Sequence, residues 1–275
     1  MEGRIIKNIS NDYVVNVGDK LYTCKPRGKF RISNITPLVG DKVIIDTDNN
    51  YILDILPRVN SLIRPSVANI DKAIIVTSLK PKLDTNLLDK LLVVVSYNNI
   101  KPIICFTKLD LVSDNELKDI NKFIDYYKKI GYEVVINTEL DKISNIISNN
   151  LCVFVGQSGS GKSTLLNKLD SKLELKTNEI SKALGRGKHT TRHVELYSLC
   201  NGFVVDTPGF SSLDLSKLSN TEIRDNMIEL FDNLDKCKYR DCMHIKEDGC
   251  YVKELVSNGT ILRSRYDNYL SFLRK

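Results

Sequence analysis

The sequence has no hydrophobic run long enough for a signal peptide or a membrane-spanning helix. Its first residues, MEGRIIKNIS, mix charged and apolar side chains. The longest aliphatic block near a predicted helix is LLVVV at 91–95, whereas a membrane span needs about 20 apolar residues. Internal repeats and low-complexity tracts are also absent from the sequence. We therefore expect a cytoplasmic protein without a membrane partner.

The sequence also lacks an even set of cysteines that would suggest paired disulfides, because it contains seven. Four of them stand alone in apolar, strand-like runs and are expected to be small buried hydrophobic side chains: Cys24, Cys105, Cys152 and Cys200. The other three cluster between residues 237 and 250. Any cysteine chemistry is therefore expected there.

Length and charge set broad limits on the protein. A chain of 275 residues is too long for one small core and fits two or three compact units. The formal net charge is +6 and the isoelectric point is near 8.8. This balance favours an anionic partner such as nucleic acid without requiring one.

Residues 1–66 have the pattern of a small antiparallel β-barrel of the OB type. Short β-type runs such as YVVNVG and DKVIIDT alternate with Gly, Asp and Asn turns. A basic loop at 25–31, KPRGKFR, lies between two of the predicted strands. Such loops contact nucleic-acid strands in many OB barrels, and a loop that is only solvated is an equally good interpretation.

From residue 67 to 218 the pattern changes to alternating strands and helices. Continuously apolar strands are predicted at 72–79, 102–108, 132–138, 151–156, 193–199 and 202–207. Strands of this kind, separated by helices, predict a parallel sheet covered on both faces. Residues 219–275 contain no such strand and are expected to form helices around the cysteine cluster, the first opened by a capping box at Ser219 and Glu222.

A phosphate-binding loop follows the predicted strand at 151–156. The pattern G-x-x-x-x-G-K-S is formed by Gly156, Gln157, Ser158, Gly159, Ser160, Gly161, Lys162 and Ser163, followed by Thr164. Backbone N–H groups of such a loop surround phosphates at a helix N-terminus. Lys162 is expected to reach the β- and γ-phosphates, and the Ser163 hydroxyl to bind magnesium.

Two further segments complete a nucleotide-hydrolysis site. The strand ending in VVDTPGF delivers Asp206 as an acid for magnesium, and Gly209 can present an N–H group to the γ-phosphate. Between the phosphate loop and this strand lies LGRGKHTTR at 184–192. Thr190 or Thr191 is expected to close over magnesium there, as in the switch loops of GTPases.

The stretch CFTKLDL at 105–111 matches the base-reading element of a GTPase. Its residues Thr107, Lys108, Leu109 and Asp110 end a predicted strand of the same sheet. The Asp110 carboxylate can accept hydrogen bonds from N1–H and the 2-amino group of guanine, which adenine does not offer. Thr107 stands where Asn is more usual, which leaves open one hydrogen bond to the base and the tether to the phosphate loop.

The order of these elements is base reader, phosphate loop, switch I, switch II. In an ordinary GTPase the last three come first, so the order predicts a circular permutation. A parallel sheet tolerates this rearrangement when the old termini are close and joined, here by the span 139–150.

The C-terminal cluster has the ligands of a structural zinc site. Three thiols and one imidazole, Cys237, Cys242, His244 and Cys250, make up a tetrahedral set. The spacing differs from the common C-x2-C, and a reduced, unliganded loop is the alternative. Four protein ligands would make one bound zinc structural rather than catalytic.

A barrel, a permuted GTPase and a Cys/His cluster in this order resemble the ribosome small-subunit-dependent GTPase A family of bacteria. The similarity covers nearly the whole chain through RPSVANIDKAIIV, TKLD, GQSGSGKSTLLN, GRGKHTTR, DTPGF and CKYRDCMH. It implies an OB domain and a zinc domain that grip 16S rRNA around a GTPase core. The implied partners are the 30S subunit and GTP or GDP, bound by a monomer that assists late subunit maturation.

The expected reaction is GTP hydrolysis with magnesium, slow until the ribosomal partner stimulates it. After DTPG the chain has Phe210, where Ras-like enzymes soon place a water-orienting glutamine. His189, beside the switch threonines, is the candidate substitute for this glutamine, and a simple RNA or phosphate contact is the alternative for it. Lys162 is the other predicted catalytic residue. The alternative function is a GTP-switched binder of another RNA. A P-loop kinase of small molecules is disfavoured, because GTP accounts for both TKLD and DTPG.

Overall fold

The computed structural model describes residues 1–10, 12–32, 35–63, 66–80, 82–170, 194–205 and 215–273. The N-terminal part of the chain forms a closed five-stranded barrel. Its elements are β1 (Glu2–Ile9), β2 (Asp12–Val17), β3 (Lys20–Pro26), α1 (Lys29–Ile32), β4 (Lys42–Asp46) and β5 (Tyr51–Ile55). The strand order is β1-β2-β3-β5-β4, and β4 pairs back with β1. Alternate apolar side chains such as Ile5, Val15 and Val43 fill the interior. The predicted barrel is confirmed.

A short hairpin connects the barrel to the central sheet. It consists of β6 (Ser61–Ile63) and β7 (Ser66–Ala68). Beside it the fully buried Asp41 carboxylate accepts two hydrogen bonds of 2.7 Å from Arg58. Because a buried charge needs a partner, this pair holds the chain at the exit of the barrel.

The central sheet has six strands in the order β10-β9-β8-β11-β13-β12. Its elements in chain order are β8 (Lys72–Ser78), α2 (Thr85–Tyr97), β9 (Lys101–Thr107), α3 (Asp114–Lys129), β10 (Glu133–Ile136), α4 (Leu140–Ile147), β11 (Leu151–Val155), α5 (Lys162–Leu169), β12 (Leu196–Leu199) and β13 (Gly202–Val205). Five strands run parallel, as predicted.

The prediction of a purely parallel sheet is wrong at one edge, because strand β12 pairs antiparallel with β13. Leu199 lies opposite Gly202, so the two strands are joined by a two-residue turn, Cys200 and Asn201. Both turn residues have positive φ, +48° and +57°, which is the backbone of a tight hairpin. Cys200 is consequently half-exposed, whereas Cys24, Cys105 and Cys152 are buried as predicted.

The C-terminal module, residues 215–273, is helical. Its helices are α6 (Asn220–Asp225), α7 (Ile228–Phe231), α8 (Tyr251–Ser257) and α9 (Arg263–Phe272). The predicted capping box is present: Ser219 Oγ accepts from the Glu222 N–H, and the Glu222 carboxylate accepts from the Ser219 N–H. Among the described helices, none combines the length and apolar character needed to cross a membrane.

A buried charge network joins this module to the helices that cover the central sheet. Arg265 of α9 is 1% exposed and donates hydrogen bonds to Asp89 of α2, at 2.6 Å, and to Glu229 of α7. Tyr127 and Asn268 also donate to Asp89. Burial alone would lower the pKa of Arg265, but the Glu229 and Asp89 carboxylates outweigh it and hold that pKa well above its usual value.

We expect Arg265→Ala to lower the free energy of unfolding by about 3–5 kcal/mol, because it leaves two buried carboxylates without their cation. The midpoint of urea unfolding measures the loss. Arg263→Ala is the matched control, since Arg263 pairs with Asp267 on the exposed face of the same helix and an exposed pair contributes about 1 kcal/mol or less. Equal losses in the two variants would contradict the structural role of the network.

Candidate nucleotide and metal sites

The phosphate loop lies at the carboxyl end of β11, in the middle of the sheet. Ligands of open α/β sheets bind at this edge. Gly156 leaves the strand with φ of +144°, and a Cβ on it would lie 2.1 Å from the Val76 carbonyl oxygen. Only glycine fits this close approach, so the loop can turn sharply over β8 and start α5 at Lys162.

The Lys162 ammonium lies over the loop. Its Nζ donates hydrogen bonds of 2.7 Å to the carbonyl oxygens of Gly156 and Gln157. Burial lowers the pKa of Lys162 to about 8. A bound phosphate would supply the negative charge that this partly desolvated cation lacks. The position of Lys162 therefore fits its predicted role as a phosphate-binding lysine.

The predicted base-reading element is tied directly to the phosphate loop. The buried Thr107 Oγ1 donates a hydrogen bond of 2.6 Å to the Ser160 carbonyl oxygen. Thr107 therefore supplies the tether to the phosphate loop in place of the more usual asparagine. Lys108 follows with φ of +61°, and the exposed Asp110 lies in the next turn, Leu109–Leu111. Strand β8 alone separates β9 from β11.

A second contact to the loop comes from Asp84, which the sequence pattern did not reveal. Its Oδ2 accepts a hydrogen bond of 2.9 Å from Gln157 Nε2. Its Oδ1 caps α2 by accepting from the Leu87 N–H at 2.9 Å. One carboxylate thus fixes both a helix start and the phosphate loop. An aspartate before a helix predicts the cap, whereas the bond to Gln157 depends on tertiary packing.

The metal-ligating atoms of Cys237, Cys242, His244 and Cys250 all lie within 4.8 Å of one another. His244 Nδ1 lies 3.3 Å from Cys250 Sγ and 3.6 Å from Cys237 Sγ. Burial lowers the pKa of His244 to about 4, so its imidazole is neutral and able to act as a ligand. Tetrahedral bonds of about 2.0–2.3 Å place ligand atoms roughly 3.3–3.8 Å apart. The four residues therefore fit a bound metal ion.

Two tyrosines of α9 hold the loop that carries the Cys/His cluster. Tyr266 OH donates to the His244 carbonyl oxygen, and Tyr269 OH donates to that of Met243 at 2.7 Å. Both rings are buried. The spacing of these tyrosines along the sequence indicates a buried helix face, but it carries no signal for the hydrogen bonds of their hydroxyl groups.

Models of known protein families match both the barrel and the central sheet. A family model described as RsgA GTPase matches residues 55–216, and one described as RsgA N-terminal domain matches residues 2–52. The chain belongs to the RsgA GTPase family. It is thus a GTP-hydrolysing enzyme by family.

Relatives of the RsgA family match over nearly their whole length. "Small ribosomal subunit biogenesis GTPase RsgA 2" of Listeria monocytogenes serovar 1/2a (strain ATCC BAA-679 / EGD-e) is 49% identical, over 100% of this chain and 97% of that protein. "Small ribosomal subunit biogenesis GTPase RsgA" of Bacillus subtilis (strain 168) is 44% identical, over 99% and 96%. The crystal structure of YloQ, a circularly permuted GTPase, superposes with a TM-score of 0.85 at 38% identity, covering 99% of this chain and 93% of that one. The predicted permutation is confirmed.

The remaining predicted site residues of this RsgA-family chain divide into two groups. Ser163 lies in the first turn of α5 beside Lys162, where its hydroxyl fits a magnesium ligand. The residues expected to act with it lie outside the described part of the chain: His189, Thr190, Thr191, Asp206 and Gly209. Their roles stay predictions.

We expect Asp110→Ala to reduce the preference for GTP over ATP by roughly 10- to 200-fold, because a bidentate base contact is lost. Competition binding of the two nucleotides measures the change. Asp125→Ala, an exposed aspartate on α3, is the control with the same loss of charge. An unchanged preference for GTP over ATP in Asp110→Ala would show that Asp110 does not contact the base.

Proposed function

We propose that this protein is a GTPase that binds the small ribosomal subunit and assists its late maturation, hydrolysing GTP to GDP and phosphate. The observation that carries the proposal is the full-length similarity to small ribosomal subunit biogenesis GTPases. The tether between Thr107 and Ser160 supports it, because it joins base and phosphate recognition in one guanine-nucleotide site. We also propose a monomer in the cytoplasm, with 16S rRNA as the contacted component.

Residues of this chain would bind and orient GTP for attack by water. The amide groups of the loop from Gly156 to Thr164 surround the phosphates, and Lys162 places its positive charge against them. Asp110 fixes the guanine. Magnesium, when bound through Ser163 and the predicted Asp206 and switch threonine, supplies further charge at the phosphate oxygens.

We propose His189 as the group that positions the attacking water, because no glutamine follows DTPG. His189→Ala is then expected to lower subunit-stimulated turnover by roughly 10²-fold while GTP binding stays normal. Steady-state kinetics with and without subunits measures both. Stimulated turnover left intact would assign His189 to another contact, such as RNA.

We propose three domains with limits at 1–66, 67–218 and 219–275, and RNA contacts from the first and the last. On the barrel, Lys25 and Arg27 line a groove of about 850 Å³. In the C-terminal module the metal would be one structural zinc, because three thiolates and an imidazole are a zinc ligand set. Its four ligands leave no position for substrate.

The test is GTP turnover by the zinc-loaded protein alone, with 30S subunits, and with 50S subunits as the control. Strong stimulation by 30S alone supports the proposal. The second candidate, a GTP-switched binder of another RNA, rests on the same basic barrel groove. Turnover unchanged by either subunit, together with RNA crosslinking in lysate, would favour that candidate.

A further inference from the structure

A cavity of about 490 Å³ lies between the barrel and the amino ends of the central strands. We call it the junction cavity. Its charged lining residues are Arg4, Lys42, Asp71, Lys72 and Lys101. Lys72 begins β8, whereas the phosphate loop lies beyond the other end of this seven-residue strand, roughly 20 Å away. A nucleotide in the phosphate loop therefore cannot place its phosphates in this cavity.

Two cations of the junction cavity stand directly opposite each other. Arg4 of β1 and Lys42 of β4 are paired in the ladder that closes the barrel. Like charges at opposed positions of a sheet repel and destabilise it. Within the described part of the chain, neither head group forms an ion pair or hydrogen bond; the Arg4 guanidinium lies 5.8 Å from the Phe203 ring centroid. A negative charge placed between the two head groups would therefore stabilise this pair.

The other charges of the cavity do not remove this excess. Lys72 Nζ donates to the Ile146 carbonyl oxygen at 3.1 Å, and Lys101 pairs with Glu133 at 2.9 Å. The Asp71 carboxylate accepts a hydrogen bond of 2.7 Å from the Leu151 N–H. Burial lowers the pKa of Arg4, and Asp71 opposes this shift only in part. One carboxylate thus faces several cations.

We propose that the junction cavity is a second phosphate-binding site, in which a phosphate group lies between Arg4 and Lys42. A guanidinium presents a planar fork of donors to phosphate oxygens, and an ammonium adds a point charge. An RNA backbone phosphate and a free phosphate share this chemistry. The RNA source rests on the proposed function, because it needs ribosomal RNA beside the barrel.

The first arm of the test is the salt dependence of binding to 30S subunits between 50 and 200 mM salt. Lys42→Gln is the test variant, since Lys42 is exposed and its replacement leaves the barrel core intact. Loss of one phosphate contact is expected to reduce the slope of log K against log salt by roughly 0.7–0.9. Lys20→Gln, an exposed barrel lysine outside the cavity, is the matched control. Unstimulated GTP turnover should not change in either variant.

The second arm measures the melting temperature against orthophosphate, with GDP and magnesium saturating the nucleotide site. An increase in wild type that Lys42→Gln lacks would assign the site to free phosphate, and a reduced salt slope in Lys42→Gln alone would assign it to the RNA backbone. No effect in either arm, or equal effects in both lysine variants, would overturn the inference. Wild type that fails to bind 30S subunits would defeat the proposed function and leave the orthophosphate arm to decide.

Discussion

Lys162→Ala is expected to lower GTP turnover by roughly 10²–10³-fold, because it removes a preorganised cation from the phosphates. Lys162 lies at the start of α5, and its Nζ is held over the loop by the carbonyl oxygens of Gly156 and Gln157. The alanine variant keeps the glycines and the helix, so the loss measures the charge itself. Single-turnover hydrolysis separates this effect from weaker GTP binding.

The matched control is Lys168→Ala, an exposed lysine in the last turn of the same helix, which is expected to hydrolyse GTP normally. The pH profile gives a second check. Because burial lowers the pKa of Lys162 to about 8, its charged form is lost as pH rises through that value, and wild-type kcat/KM should fall there. The alanine variant should lack this decline. Near-wild-type turnover in Lys162→Ala would exclude the proposed role.

Removal of the metal is expected to unfold the C-terminal module, because structural zinc contributes an apparent ~10–16 kcal/mol in small zinc domains. The loop from Cys237 to Cys250 contains neither helix nor strand, and only one short helical turn, Leu234–Lys236, precedes it. Tyr266 and Tyr269 hold this loop through its backbone carbonyls, so α9 should lose protection with it. Hydrogen exchange before and after chelation, resolved by segment, measures the effect.

Cys250→Ser should reproduce the effect of chelation and bind less than one tenth of the metal held by wild type. Cys200→Ser is the control with the same chemical change, since Cys200 lies in the β12–β13 turn, away from the cluster. The barrel should keep its exchange protection in both variants, because its core is separate from the helical module. If the module keeps its protection from hydrogen exchange after the metal is removed, its apolar core is sufficient to keep it folded and the prediction is wrong.

Much of the nucleotide and metal chemistry could be predicted because it is encoded in short contiguous segments. The residues from Gly156 to Thr164 form one loop and the first turn of the following helix, and TKLD ends one strand. The cysteines and histidine of the cluster lie within fourteen residues. Local spacing determines geometry in such segments, since few backbone conformations satisfy the pattern.

The contacts that join these segments could not be predicted in the same way. Gln157 and Asp84 are 73 residues apart, and Arg265 and Asp89 are 176 residues apart. The register that sets Arg4 opposite Lys42 depends on closure of the barrel. Spacing along the chain carries no direct signal for pairs that only tertiary packing brings together. The direction of β12 was missed for a different reason, since its two-residue turn lacks the usual glycine.

The strand order also affects the synthesis of the chain. β8 can pair with β9 soon after both leave the ribosome, but its other edge waits for β11, which begins about 70 residues after β8 ends. At 5–20 residues per second this takes roughly 4–15 s. During that time the nascent chain exposes an unpaired apolar strand edge built from Ala73, Ile74, Ile75 and Val76. Such an edge is open to chaperones and to pairing with other chains until β11 covers it.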